Sequence, residues 1–390
     1  MVTMKKRSSF SLINYQSLAL LLALLSTLVF KAHLFDYSGG DHKAHLHFAQ
    51  AGLQGHGYPP HFLYHITLNL LSGFSGNETA LAWAALILLM FALLLKLLLT
   101  VRFIQYYQSK SAQTLNHSMA IVTVFIFFFI SPLVNWWQFP YIYRGQFSPT
   151  VWHNPTTILL IPMALGIFYC LRPDDVPRQR KLVLAAILLA LSVLLKPNFA
   201  LALIPAMFLA FLLRYFTRRE LIITTLPSVC ILGWQFLRTY TQTSSAVSSV
   251  YTNHVIFSPM TVFTYFSKIP VGSCLVSFAF PLCFYFCYKS KVKFKKTYAM
   301  TWLILLTALA EFILLAESDG SKILYTGNFL WGTVPATYLL FLVSFTELLH
   351  IKEPRPNNWK LILCWLFVLG HGISGIMFFI RAAMGFDFYA

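Results

Sequence analysis

The chain has 390 residues, 58% hydrophobic and 17% aromatic, with only 11% charged and a mean hydropathy of +0.67. That balance excludes a water-soluble globule and implies an all-α polytopic membrane protein. The net charge of +17 does not imply nucleic-acid binding, because the basic residues are split into short groups among separate loops.

A spanning helix needs about 20 mostly apolar residues. Eleven segments are predicted to span: roughly 11–31, 79–100, 118–136, 151–171, 182–196, 199–216, 221–240, 270–288, 299–316, 327–349 and 361–380. The alternating short segments of a β-barrel are absent from this pattern. The apolar run behind Lys5-Lys6-Arg7 lacks a small-x-small cleavage site and reads as an uncleaved first span. With the N-terminus inside, 21 of the 29 Lys and Arg residues fall on inner segments, which predicts a cytoplasmic N-terminus and an outer C-terminus.

The first outer segment, Ala32 to Glu78, holds seven of the twelve histidines and three of the twelve acids. Titratable groups concentrated beside a bilayer mark a functional site. Ser38-Gly39-Gly40 predicts a tight turn with Asp41 near a helix cap, and Asp41 to Gln54 predicts a short helix lying at the interface. A second surface helix is expected over 60–75, after Pro59-Pro60. The outer segments 137–150 and 241–269 are also long enough to carry chemistry.

The arms 182–196 and 199–216 meet at Lys196-Pro197-Asn198. A 15-residue helix rises about 22 Å, short of a hydrocarbon core of about 30 Å. The tip is therefore expected to lie recessed, and an ammonium at that depth requires a polar cavity. The six cysteines all fall inside predicted spans and read as small apolar packing residues. Cys283 and Cys287 share a helix face, but no histidine ligand accompanies them. Gly370, His371, Gly372 and Gly375 suit close helix packing.

Asp41-x-x-x-His45, then Ala51-Gly52, then Gly55-His56-Gly57-Tyr58-Pro59-Pro60, resembles the first external loop of GT-C type integral membrane glycosyltransferases. Leu195-Lys196-Pro197-Asn198, with a second proline at Pro205, resembles the Leu-Lys-Pro hairpin of the bacterial mannosyltransferase-like members. The order of loops and spans matches over roughly residues 1–240; these families diverge most in their C-terminal spans, and the resemblance does not extend to 241–390. One membrane domain, 1–390, is expected. The chain departs from many members in that Asp36 lies five residues before Asp41, and histidine follows Asp41 directly.

The resemblance implies transfer of a sugar from a polyprenyl-phosphate donor to an extracytoplasmic glycan or lipid-linked acceptor, in the inner or plasma membrane. A carboxylate would deprotonate the acceptor hydroxyl, and cations would meet the leaving phosphate. Asp41 is the expected base, against the alternative of a helix cap. Lys196, with Asn198 beside it, is the first expected phosphate contact, against snorkelling to the interface. Arg144 and His153 are expected donor contacts, with Asn154 beside them where Pro155 opens a helix; a structural aromatic-Arg loop is the alternative for Arg144. His45, His61, Tyr64 and His65 are expected sugar contacts or part of an aromatic interfacial belt. A divalent metal on Asp41 and His45 is left open, since one oxygen and one nitrogen make a partial site. Glu311, Glu317 and Asp319 are fallback acids. A transporter or flippase of polysaccharide or lipid-linked sugar, and a polysaccharide polymerase or ligase, are the rival readings.

Overall fold

The computed structural model describes residues 14–36, 40–175, 179–240, 254–351 and 358–386. Part of the expected turn (Ser38-Gly39) and residues 241–253 of the third outer segment lie outside that set, as does Asp387.

The chain is mainly helical. The first span combines α1 (Tyr15–Leu25), α2 (Thr27–Lys31) and a π-helical turn (Ala32–Asp36) into one apolar run. Then come α3 (Asp41–Leu53) and α4 (Leu63–Leu71), the two short helices expected in the first outer segment. The 33-residue α5 (Glu78–Lys110) starts from Asn77, whose side chain accepts from the Thr79 and Ala80 N–H groups and so satisfies two of the helix's open donors. Four shorter helices follow: α6 (His117–Phe129), α7 (Pro155–Leu171), α8 (Gln179–Leu195) and α9 (Asn198–Leu212). They lead into α10 (Arg218–Tyr240).

The C-terminal part holds β1 (His254–Phe257), α11 (Thr261–Phe266), α12 (Pro270–Ser277), α13 (Ala279–Tyr288) and α14 (Lys295–Leu314). After these come β2 (Leu315–Ser318), β3 (Ile323–Leu324), a 3-10 turn at Asn328–Gly332, α15 (Thr333–Leu348) and α16 (Trp359–Ala383). The strands form a small antiparallel sheet in the order β1-β2-β3, with His254 opposite Ser318 and Glu317 opposite Leu324. The all-α expectation is corrected to that extent. Leu315 ends α14 in extended backbone, and the sheet continues directly from it.

Among the described residues, six helical segments are long and apolar enough to cross a membrane, and seven if α12 and α13, bent by 71° at their junction, form one span. Eleven is not the number found. The difference is the four helices α6 to α9, whose described parts have 13, 17, 17 and 15 residues, against the roughly 20 residues of a typical span. For α6 and α7 the reason is local. Pro132 follows the end of α6, and Pro155 fixes the start of α7, so the chain between them runs irregularly through the interior. Much of it is buried, including Phe147, Thr150 and Trp152. Non-helical backbone at that depth is tolerated because protein surrounds it.

The centre of the bundle is α15, buried along its whole length and flanked by α14, α7, α13, α9 and α5. A helix apolar on every side belongs in such a position. Gly375 in α16 sits where any Cβ would overlap the Phe129 carbonyl, which allows α16 to close on α6. His371 lies in the same contact, with Nδ1 2.6 Å from the Ser131 carbonyl oxygen. Lys96 reads from sequence as an inner orientation charge. It is instead fully buried, donating to the Thr150 hydroxyl at 3.3 Å and lying over the Tyr338 ring.

Candidate functional site: a carboxylate and an ammonium on one buried amide

The site begins with the start of α7. Asn154 is the N-cap, its Oδ1 accepting from the Thr157 N–H at 3.0 Å, and Pro155 supplies a φ already suited to the first turn. The same side chain faces both neighbouring segments. Its Nδ2 donates to Asp41 Oδ2 at 2.6 Å, and its Oδ1 accepts from Lys196 Nζ at 3.0 Å.

Asp41 reaches Asn154 because Gly40, at φ +92°, turns the chain into α3 in a backbone region that favours glycine. Gly40 is the N-cap and Asp41 the first helical residue, so the helix-cap role expected of Asp41 falls to its neighbour. His42 fixes the helix laterally, with Nε2 2.9 Å from the Trp152 carbonyl oxygen. Lys196 lies in the connection between α8 and α9, where Pro197 halts the first helix. Its Nζ also donates to Thr156 Oγ1 at 3.2 Å and lies 4.8 Å from the centre of the Trp331 ring. Burial pulls its pKa down to about 7, with the nearby Asp41 charge opposing the shift.

Asn154 Oδ1 is oversubscribed. Besides Lys196 and the Thr157 N–H, the Thr156 and Thr157 hydroxyls donate to it at 3.0 and 2.8 Å. An amide oxygen has two lone pairs, so four donors cannot all be satisfied together. The ammonium can leave this oxygen for an incoming anion and the threonine donors still satisfy it.

These groups line a cavity of about 310 Å³, together with Gly40, Ala44, His45, Phe48, His61, His153, Thr326, Asn328 and Trp331. Its wall thus includes expected site residues Asp41, His45, His61, His153, Asn154 and Lys196. Thr326 is shared with a wider, more open depression of about 600 Å³ along Lys322–Tyr325.

The remaining expected residues are placed elsewhere. Arg144 does not line the cavity; its guanidinium lies over the rings of Tyr141, Tyr265 and Phe266 and donates to the Tyr265 carbonyl at 3.4 Å. The structural aromatic-Arg alternative describes that arrangement. Asn198 acts one layer back, donating to the Asn328 carbonyl at 2.7 Å, and Gly332 is glycine because a Cβ there would meet the Asn198 carbonyl oxygen at 2.8 Å. Tyr64 is buried in edge-on contact with His45 and His65, so it forms no open stacking wall. His65 is also buried, with Nε2 2.9 Å from His45 Nδ1.

Burial lowers the pKa of each of these histidines. His61 falls to about 4, with the Lys196 charge adding to the effect, and His65 to about 3, with His61 adding to it. His45 lies well below the usual range through burial first, then His65 and Lys196. At neutral pH they are uncharged hydrogen-bonding groups rather than phosphate-binding cations. Asp41 and His45 gain no third His, Cys, Asp or Glu ligand among the described residues, so they remain a two-ligand set.

Sequence reasoning missed Phe48, Thr326, Asn328 and Trp331. The last three come from the C-terminal part, where only the fallback acids Glu311, Glu317 and Asp319 were expected to matter. The signal available was weak: Thr326-Gly327-Asn328-Phe329-Leu330-Trp331-Gly332, a glycine-flanked aromatic stretch before a span. Glu317, a fallback base, accepts from the Thr326 hydroxyl and the Asn328 amide at 2.8 and 2.7 Å, so it supports the wall from behind. Glu311 lies within α14 and does not line the cavity. No family model, curated protein or solved structure matches this chain, and its function has to be argued from this site.

Proposed function

We propose that the chain is an integral membrane glycosyltransferase. It takes a sugar from a polyprenyl-phosphate donor and places it on a hydroxyl of an extracytoplasmic glycan or lipid-linked acceptor. The observation that carries the reading is the convergence of Asp41 and Lys196 on Asn154 at the wall of one cavity.

Transfer needs two opposite charges a few ångströms apart. Asp41 accepts the acceptor proton as the hydroxyl oxygen bonds to the anomeric carbon. Lys196 meets the phosphate as the bond from that carbon to the phosphate oxygen breaks, placing positive charge where negative charge develops. The Trp331 ring, the uncharged His45 and His61, and His153 supply apolar surface and hydrogen bonds suited to a sugar. The open depression beside Thr326 offers an approach for the acceptor.

The test is transfer from a labelled polyprenyl-phosphate sugar in proteoliposomes. Formation of a glycosidic bond that depends on Asp41 supports the reading. Movement of the donor across the bilayer with no bond formed would replace it with the transporter reading.

A further inference from the structure

Far in sequence from the cavity residues lies a second cluster of reactive side chains. Cys283 and Cys287 stand one helical turn apart on α13, and Cys364 lies near the start of α16, the helix packed against it. Cys283 Sγ is 3.6 Å from Cys364 Sγ, and all three sulfurs lie within 4.8 Å of one another. Cys364 is fully buried, and the other two are half-buried.

We propose that Cys283, Cys287 and Cys364 form a three-sulfur binding site for a soft metal ion, Cu(I). The spacing supports this. Three sulfurs around a central ion, each bonded at about 2.3 Å, stand about 4.0 Å apart. The observed set needs sulfur movements below about 1 Å to reach that geometry, a range that cysteine χ1 adjustment covers.

The ligand set decides the ion. Thiolates select soft metals, whereas structural zinc takes four ligands in a tetrahedron. Among the described residues no His, Asp or Glu joins the three sulfurs to complete such a tetrahedron. Cu(I) is satisfied by three. Binding displaces protons from the thiols. Lys289 and Lys291 follow Cys287 within four residues, and Lys360 precedes Cys364 by four. On the orientation expected from the basic residues this is the inner end of the bundle, facing a reducing compartment where thiols persist. A bound ion would clamp α13 to α16, on the opposite side of the bundle's span from the proposed chemistry.

The test uses the full-length protein purified in detergent with a reductant. Cu(I) is offered from a chromophoric chelator, and X-ray absorption is recorded on the loaded protein. The expected result is one ion withdrawn per chain, with three sulfurs at about 2.2–2.3 Å. The triple variant Cys283→Ser, Cys287→Ser, Cys364→Ser keeps Cys170, Cys230 and Cys274 and should compete more than about 100-fold less well, a loss larger than removal of an outer-shell partner causes. Equal competition by wild type and variant would overturn the proposal, as would Zn(II) held by four ligands. Four free thiols instead of six in protein isolated without reductant would replace the metal site with a Cys283–Cys364 disulfide. Should the variant not fold, the absorption spectrum of the wild type decides by itself.

Discussion

Asp41 and Lys196 are held by the two ends of a single amide. Asn154, 113 positions after one and 42 before the other, donates to the carboxylate at 2.6 Å and accepts from the ammonium at 3.0 Å. A negative and a positive group are thereby kept close without bonding to each other. Each retains capacity to engage a ligand, which a direct ion pair would consume.

Asp41→Asn keeps the size of the side chain and removes its basicity. Transfer should fall at least about 100-fold in correctly inserted protein, because the acceptor proton loses its receiver. Turnover in proteoliposomes measures this, with elution behaviour in detergent confirming the fold. Near-normal turnover would eliminate Asp41 as the base.

Lys196 gives a pH signature. Burial sets its pKa at about 7, so the ammonium is present below pH 7 and is lost as pH rises through that value. Donor binding that needs the charge should weaken above pH 7, by at most about tenfold per pH unit for one proton. The donor KM against pH reports it. Lys196→Arg, which stays charged throughout, should flatten the profile even if its absolute KM is higher. A wild-type KM independent of pH from 6 to 9 would contradict the phosphate role.

Asn154→Asp retains the helix cap, since aspartate also caps. It replaces the amide donor facing Asp41 with a second carboxylate. Two carboxylates in hydrogen-bond contact share a proton, and one of the pair titrates well above the ordinary range. The acidic limb of the pH–rate profile should move upward by at least about one pH unit, with activity partly restored in alkaline buffer. Asn154→Ala, lacking both contacts and the cap, should lose activity at every pH and about 1 kcal/mol of stability.

Arg144→Ala separates structure from chemistry. The guanidinium bridges three aromatic rings away from the cavity wall, and such contacts contribute roughly 0.5–2 kcal/mol each. Thermal stability in detergent should fall, while transfer per folded molecule should stay within about twofold. A selective rise in donor KM would return Arg144 to the site.

The termini are predicted to lie on opposite sides of the membrane. Eleven spans and seven are both odd, seven being the number when the bent pair α12 and α13 counts as one span; six would place both termini on the same side. A C-terminal reporter should be active outside the cytoplasm, and activity confined to the cytoplasm would place the C-terminus inside.

Much of the fold was legible because lipid imposes a simple rule: long apolar runs become helices. The runs over α5, α10, α14, α15 and α16 could be read directly, and so could α3 and α4 from the breakers around them. Asp41 and Lys196 were conspicuous because a charge beside or within lipid requires a reason. Hydropathy shows which runs are apolar but does not fix where a helix stops, and α6, α7 and α9 are apolar yet only 13, 17 and 15 residues long. Which titratable groups face a cavity also lies beyond local sequence. His45 and His65 recur in the same histidine-rich segment, yet one lines the cavity and the other is buried behind it. The placement of Arg144 over aromatic rings, the wall contributed by Asn328 and Trp331, and the meeting of Cys283 with Cys364 all depend on contacts between distant segments. The sequence determined the solvent each segment can tolerate and the residue types able to act; packing of the bundle decided which of them meet.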